Sequence, residues 1–180
     1  LNLPLPDVVE TVDNEKVVRE QLLYATNKLE LAGVDFIAIP CNTAMLFLDQ
    51  TKVSVPLISI VEETKKVIGK RKVGILGTKA TIRNQLYGGA FVPSLKSQER
   101  ITKVIINILS GKKLQIDKEF LCSEIQNFLD LGADKVILGC TELPLLISTE
   151  NTFDTLEILA RAVVREATNI NEEQLVGDTP

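Results

Sequence analysis

Histidine is absent from the 180 residues of this chain. That absence removes Ser-His-Asp and Cys-His nucleophilic triads, and most zinc sites, before any motif is considered. Cysteine is scarce, with three residues at positions 41, 122 and 140 and no C-x-x-C. An odd, widely separated set offers neither a disulfide framework nor a thiolate metal cluster, and it fits a reducing cytosol, so a cytoplasmic protein is expected. No apolar run approaches the length of a membrane span, and no signal-peptide pattern opens the chain. There is no basic stripe, and the net charge is −4. Neither nucleic acid nor an anionic membrane is therefore an expected partner. What remains is 45% apolar and 24% charged residues, an ordinary globular composition with enough chain for one core or two small lobes.

The most informative feature is a repeat. Gly33-Val-Asp-Phe-Ile-Ala-Ile-Pro-Cys41-Asn-Thr-Ala44 returns as Gly132-Ala-Asp-Lys-Val-Ile-Leu-Gly-Cys140-Thr-Glu-Leu143. Gly132 lies 99 residues after Gly33, and Cys140 the same 99 after Cys41. Each copy reads as helix, Gly-x-Asp turn, apolar strand, then cysteine followed by small hydroxyl or amide residues. The similarity extends to Pro56-Leu-Ile-Ser with Glu62-Glu63-Thr64, matched by Leu145-Leu-Ile-Ser with Asp154-Thr155. Two such half-folds facing each other place both thiols at the carboxyl ends of parallel strands, where open α/β sheets bind ligands.

Along the chain, the prolines of residues 1–7 predict an extended segment. Asp13 or Asn14 is suited to cap a helix from Glu15 to Leu31, whose apolar positions Val18, Leu22, Ala25 and Leu29 keep a helical period. Gly33 should end it. Continuous apolar runs predict buried strands at Phe36 to Ile39, Val55 to Ile60 and Lys72 to Thr78. Short helices are expected over 42–50, from Glu62 to Ile68 and at about Thr81 to Leu86. Gly74 and Gly77 fall short of either nucleotide fingerprint and read as a plain β-to-α turn, with Thr78 free to donate to a ligand carboxylate. Around Gly88-Gly89 only a remnant of a strand is present. Further helices are predicted from Ser97 to Ser110, from a cap at Asp117 to Leu131, and from Leu156 to Ala167. The polar tail from Asn171 should fray. Strands alternating with helices make this an α/β protein with parallel sheets.

Two thiols across a cleft have a definite chemistry. A free thiol has a pKa near ~8.5, leaving about 3% thiolate at pH 7, and a helix N-terminus contributes only ~0.3–1 kcal/mol toward the anion. A bound ligand, excluded water and backbone N–H donors must supply the rest. Given them, a thiolate on one face of a carbon acid and a thiol on the other remove and deliver a proton, inverting the stereocentre. Neither a metal nor an electron-sink cofactor is required. Near-attack distances of ~3–3.5 Å set the sulfurs roughly 7 Å apart. Cys122, inside a helix, reads as a small core residue. Asn42, Thr43 and Thr141 suit helix caps and equally suit a ligand carboxylate. Glu142 fits either a capping acid or a partner for a ligand ammonium. Lys112 and Lys113 fall in a loop, as solvated charges or, for Lys112, as a lid cation over an acidic substrate.

Pro40-Cys41-Asn42-Thr43-Ala44 together with Gly139-Cys140-Thr141-Glu142-Leu143-Pro144 resembles the aspartate/glutamate racemase family, with Asn2 to Asp7 and Val73 to Thr78 extending the likeness over nearly the whole chain. The resemblance implies two pseudo-symmetric lobes, each a parallel sheet flanked by helices, with the active site between them. The expected division is 1–60 plus 153–170 for the first lobe and 61–152 for the second. It also implies cofactor-independent inversion of a small acidic amino acid, usually in a homodimer. Cys41 and Cys140 are then the acid/base pair, and Asn42, Thr43, Thr141 and Glu142 bind the substrate's carboxylate and amino groups, with Thr78 and Lys112 as further candidates from their positions. Cell-wall glutamate racemases carry His after the second Cys-Thr, and Glu142 in that place matches the aspartate branch. The family's opening strand and Gly-Gly-Met-Gly-type loop have no counterpart here, and Val8 stands where an arginine is expected. Losing a central strand would expose core and unpaired backbone, so the intact protein is expected to contain those segments. Two alternatives stay open: a hydantoin racemase, and a racemase-like module that binds an acidic metabolite without turnover.

Overall fold

The computed structural model describes residues 15–168. The extended segment of residues 1–7, the caps Asp13 and Asn14, and the tail from Asn171 lie outside the described residues.

Helix α1 (Glu15–Leu31) buries Val18, Leu22 and Ala25 on one face. Gly33, at φ +77°, turns the chain out of it, a conformation that favours glycine. Strands β1 (Ile37–Ala38) and β2 (Leu57–Ile58) pair in parallel, Ile37 opposite Leu57. Between them lie two short 3₁₀ turns, Thr43–Leu46 and Gln50–Lys52, where one short helix was expected. Helix α2 (Ile60–Ile68) follows, its first turn capped by Ser59, whose hydroxyl accepts from Glu62 N–H.

A second sheet holds β3 (Val73–Gly77), β4 (Lys135–Gly139) and β5 (Thr152–Asp154), all parallel and in that order. Gly77 stands opposite Gly139 and Leu138 opposite Asp154. Helices α3 (Lys79–Arg83), α4 (Leu95–Leu109), α5 (Gln115–Asp130) and α6 (Thr155–Thr168) complete the chain. On one face of this sheet Leu76, Val136 and Leu138 pack against Ile101, Val104 and Ile105 of α4 and Leu121, Ile125 and Phe128 of α5. On the other, Ile75 and Ile137 pack against Ile60 and Val61 of α2 and Leu159 of α6. Alternate residues of one strand thus feed two cores, which is why these strands read as unbroken apolar runs. A third cluster joins Val18 and Leu22 of α1 to Ala44, Phe47 and Leu48, the chain just after Cys41.

The two halves repeat in three dimensions: strand, cysteine, 3₁₀ turn, parallel neighbouring strand, capped helix. The second-half counterpart of β2 is not Leu145 to Ile147, as the sequence repeat suggested, but Thr152–Asp154. Leu145 closes the 3₁₀ turn Leu143–Leu145 and Ile147 N–H bonds back to Leu143 O. To pair with β4 in parallel the chain must first return to the sheet's amino edge. Phe153 and Asp154, expected with the first lobe, therefore hydrogen-bond into the second sheet, while α6 packs on α2.

Three local expectations also change. Asp117 does not cap α5; it lies in the first turn, buried, and accepts from Asn107 Nδ2 at 2.8 Å. Cys122 is exposed rather than packed in the core. The strand remnant after Gly89 forms one bridge, Gly74 to Phe91, with Ile75 N–H bonded to Phe91 O and Phe91 N–H to Val73 O.

Candidate functional site

Cys41 and Cys140 each stand just beyond the carboxyl end of a parallel strand, β1 and β4 respectively. Cys140 is buried, Cys41 half-buried, and the charge of Cys41 bears on Cys140. Burial above all pushes the Cys41 thiol up; the N–H groups of Ala44 and Thr43 pull against it, and the charge of Glu142 adds to the rise. Burial is also the first cause for Cys140, which lies well above the ordinary thiol range. There the Glu142 charge and the hydrogen bond to its carboxylate reinforce the shift. Cys140 Sγ donates to Glu142 Oε2 at 2.9 Å, and Thr141 Oγ1 donates to the same oxygen at 3.2 Å. One carboxylate thus acts on both sulfurs, and a cation placed beside it would relieve both.

Behind the thiols runs a buried polar scaffold. Asn42, 2% exposed, uses both ends of its amide inside the protein. Tyr87 OH donates to its Oδ1 at 2.5 Å, and its Nδ2 donates to Thr155 Oγ1 at 2.9 Å. Thr155 Oγ1 in turn donates to Leu138 O at 3.0 Å, two residues before Cys140. The hydroxyls of Thr43 and Thr78 lie 2.9 Å apart, and Thr81 Oγ1 is within 3.2 Å of Thr43. Thr78 also caps α3 by accepting from Thr81 N–H at 3.1 Å. Asn42, Thr43 and Thr78, expected to bind substrate through their side chains, are all nearly inaccessible. Their polar groups pair with one another and with the fold, because the turn after Cys41 is docked against β3 and α6. What Thr43 turns toward Cys41 is its backbone N–H.

Thr141 and Glu142 keep partial exposure beside Cys140. Lys112 lies in the exposed loop between α4 and α5. Helices α4 and α5 run antiparallel, Ser97 Oγ bonded to Glu124 and Asn107 Nδ2 to Asp117. Gln98 Nε2 donates to Gly77 O at the end of β3. Lys112 makes no ion pair among the described residues. Sequence reasoning missed Tyr87, Thr81, Thr155 and Gln98. Thr155 was visible only as a member of the repeat, and the others carry no local signal. No group of three or more His, Cys, Asp or Glu among the described residues is placed to hold a metal ion. No helix among them is long and apolar enough to cross a membrane.

Comparison with known proteins identifies the family and the fold. The family model described as Asp/Glu/Hydantoin racemase matches residues 2–163. The broad specificity amino-acid racemase RacX of Bacillus subtilis (strain 168) is 30% identical over 151 residues, covering 78% of this chain and 66% of RacX. A glutamate racemase of Sulfurihydrogenibium sp. (strain YO3AOP1) is 31% identical over 149 residues, 74% of this chain and 56% of that one. The chain therefore spans between about half and two thirds of the length of these curated relatives. Among solved structures, an aspartate racemase homologue from Pyrococcus horikoshii OT3 superposes with a TM-score of 0.73 at 32% identity, over 88% of this chain and 77% of the other. The aspartate racemase of Picrophilus torridus, at 23% identity, shares the fold with a TM-score of 0.72, over 89% and 74%.

Proposed function

The chain belongs to the Asp/Glu/hydantoin racemase family, and from that premise we propose that it carries the reaction cleft of a racemase for a small acidic amino acid, aspartate first and glutamate second. The observation that carries this reading is Glu142, whose charge bears on both Cys41 and Cys140.

In the free cleft both thiols hold their protons. A substrate ammonium beside Glu142 neutralises the charge that disfavours a thiolate, at about 1.4 kcal/mol for each pKa unit relieved. Cys41, the less strongly raised of the two and faced by the N–H groups of Thr43 and Ala44, is the first to ionise, its proton leaving to solvent as the substrate binds. Its sulfur takes the α-proton from one face of the substrate. Cys140 delivers its own proton to the opposite face, and the C–H bond that forms has the inverted configuration. The reverse reaction uses the same groups with their roles exchanged. Thr141, released from Glu142, donates to the substrate carboxylate, and Lys112 closes on the distal carboxylate if the α4–α5 hairpin bends over the cleft. Family resemblance adds the expectation of a homodimer, which sedimentation checks.

The test is to incubate L-Asp, D-Asp and L-Glu with the protein in D₂O and follow α-deuterium together with optical rotation. Deuterium incorporation with inversion, lost in both Cys41→Ala and Cys140→Ala, is the expected result. Binding of aspartate with no exchange in the unsubstituted protein would instead identify a module that holds an acidic metabolite without turning it over.

A further inference from the structure

A cavity of about 340 Å³ lies away from the thiols, between β3, α3 and the turn that follows. Neither cysteine lines it. Its walls include Ile75, Ile82 and Leu86, with Thr81, Tyr87 and Arg83. That volume is at the small end of the range of about 300–1,000 Å³ in which proteins hold small molecules. We infer that this cavity is a second ligand site, for a small carboxylate with an apolar body, and that its occupancy is transmitted to Cys41 through Tyr87 and Asn42.

Two observations select an anion. Arg83 is exposed at the cavity and has neither an ion pair nor a side-chain hydrogen bond among the described residues. In the same turn, Gln85, Leu86 and Ala90 N–H groups find carbonyl acceptors, whereas those of Gly88 and Gly89 find none among the described residues. A guanidinium with adjacent unspent backbone donors suits a carboxylate, which takes two parallel N–H···O bonds from arginine. The apolar walls suit a ring or branched chain behind it. Gln85, which lines the cavity, has a positive φ of +48°, alone among the described non-glycine residues.

The link to the thiol is direct. Tyr87 and Thr81 line the cavity on one side and on the other hold the turn after Cys41, Tyr87 through Asn42 Oδ1 and Thr81 through Thr43. A ligand packed on the Tyr87 ring fixes that hydroxyl, and with it the residue next to Cys41. This site is independent of racemase turnover, so it stands or falls separately from the function proposed above.

The probe is phenylacetate, with phenylacetamide as its uncharged counterpart, titrated calorimetrically into the full chain. One phenylacetate per chain is expected, with a dissociation constant of about 1 mM or tighter for a ligand of this size. Arg83→Gln and phenylacetamide should each weaken binding at least tenfold, and a Cys41→Ala/Cys140→Ala variant should bind as the unsubstituted protein does. Saturation should change the rate of Cys41 alkylation by iodoacetamide several-fold, read by peptide mass spectrometry, and Tyr87→Phe should abolish that response while keeping the binding. No saturable binding, binding indifferent to Arg83→Gln, or binding lost with the cysteines overturns the site. An unchanged alkylation rate at saturation overturns its link to Cys41.

Discussion

Asn42 Nδ2 donates to Thr155 Oγ1 at 2.9 Å across 113 residues of sequence, tying the turn after Cys41 to the start of α6. Thr155 Oγ1 in turn donates a hydrogen bond to Leu138 O, so the chain Asn42–Thr155–Leu138 links the turn after Cys41 to the strand that precedes Cys140. A buried amide between two buried hydroxyls is also a place where removal of one member leaves the rest unsatisfied.

Asn42→Ala should therefore destabilise the protein by roughly 1–3 kcal/mol, the cost of leaving buried polar groups without partners. For a chain of this size that lowers the melting temperature by about 2–4 °C per kcal/mol. Combined with Thr155→Val, the double variant should lose less than the sum of the two single losses. The coupling should be at least ~0.5 kcal/mol. Calorimetric unfolding of the four proteins measures it; strict additivity would mean that the bond contributes nothing.

Glu142→Gln removes a charge that acts on both thiols. Since that charge pushes both pKa values up, the substitution should move the alkylation of Cys41 and Cys140 to lower pH. Burial, the larger cause, is unchanged, so neither thiol should become as acidic as an exposed one. Iodoacetamide labelling rates against pH, resolved by peptide, give the shift for each sulfur. Midpoints that stay put in both would disconnect Glu142 from the cysteines.

High pH should unfold the protein earlier than its acid and base content suggests. Cys41 and Cys140 both have raised pKa values in the folded state, so the native protein holds their protons where the unfolded chain releases them. Their contribution to stability is fully present below the unfolded value of about 8.5. It declines as pH rises toward the folded values. Replacing Cys140 by Ser should flatten the decline between about pH 8 and 10, and thermal unfolding across that window reports it.

Gly74→Ala tests the packing of α5 on the sheet. A Cβ at this position would lie 2.6 Å from Phe128 Cγ and 2.9 Å from Phe128 Cβ. The near approach of the Phe128 stem means that rotating the ring is not enough, and the strain should cost roughly 1–3 kcal/mol. Phe128→Leu in the same chain should recover part of that loss, although Phe128→Leu alone is destabilising. Denaturant midpoints of the three variants show whether the sign reverses.

Much of the architecture was readable in one dimension. Helix α1 falls where the period of Val18, Leu22 and Ala25 puts it, and Gly33 and Gly132 both adopt the positive φ that the Gly-x-Asp repeat implies. The buried strands β3 and β4 match unbroken apolar runs because each feeds two cores. The pairing of Leu57–Ile58 with Leu145 to Ile147 failed because sequence similarity carries no information about which edge of the sheet a segment has reached.

The sequence by itself determined the register of the duplicated halves and the position of a cysteine after a strand in each, since these depend on neighbours a few residues apart. Only the tertiary structure decided which of the surrounding polar residues stay partly exposed beside the cysteines. Asn42, Thr43 and Thr78 have the same chemistry as ligand-binding groups, but partners 113, 35 and 35 residues away draw them into the protein. Thr141 and Glu142 meet no such distant partner among the described residues and stay beside Cys140. A short polar side chain goes wherever its hydrogen bonds can be met, and that is settled by contacts between segments that the linear order keeps apart.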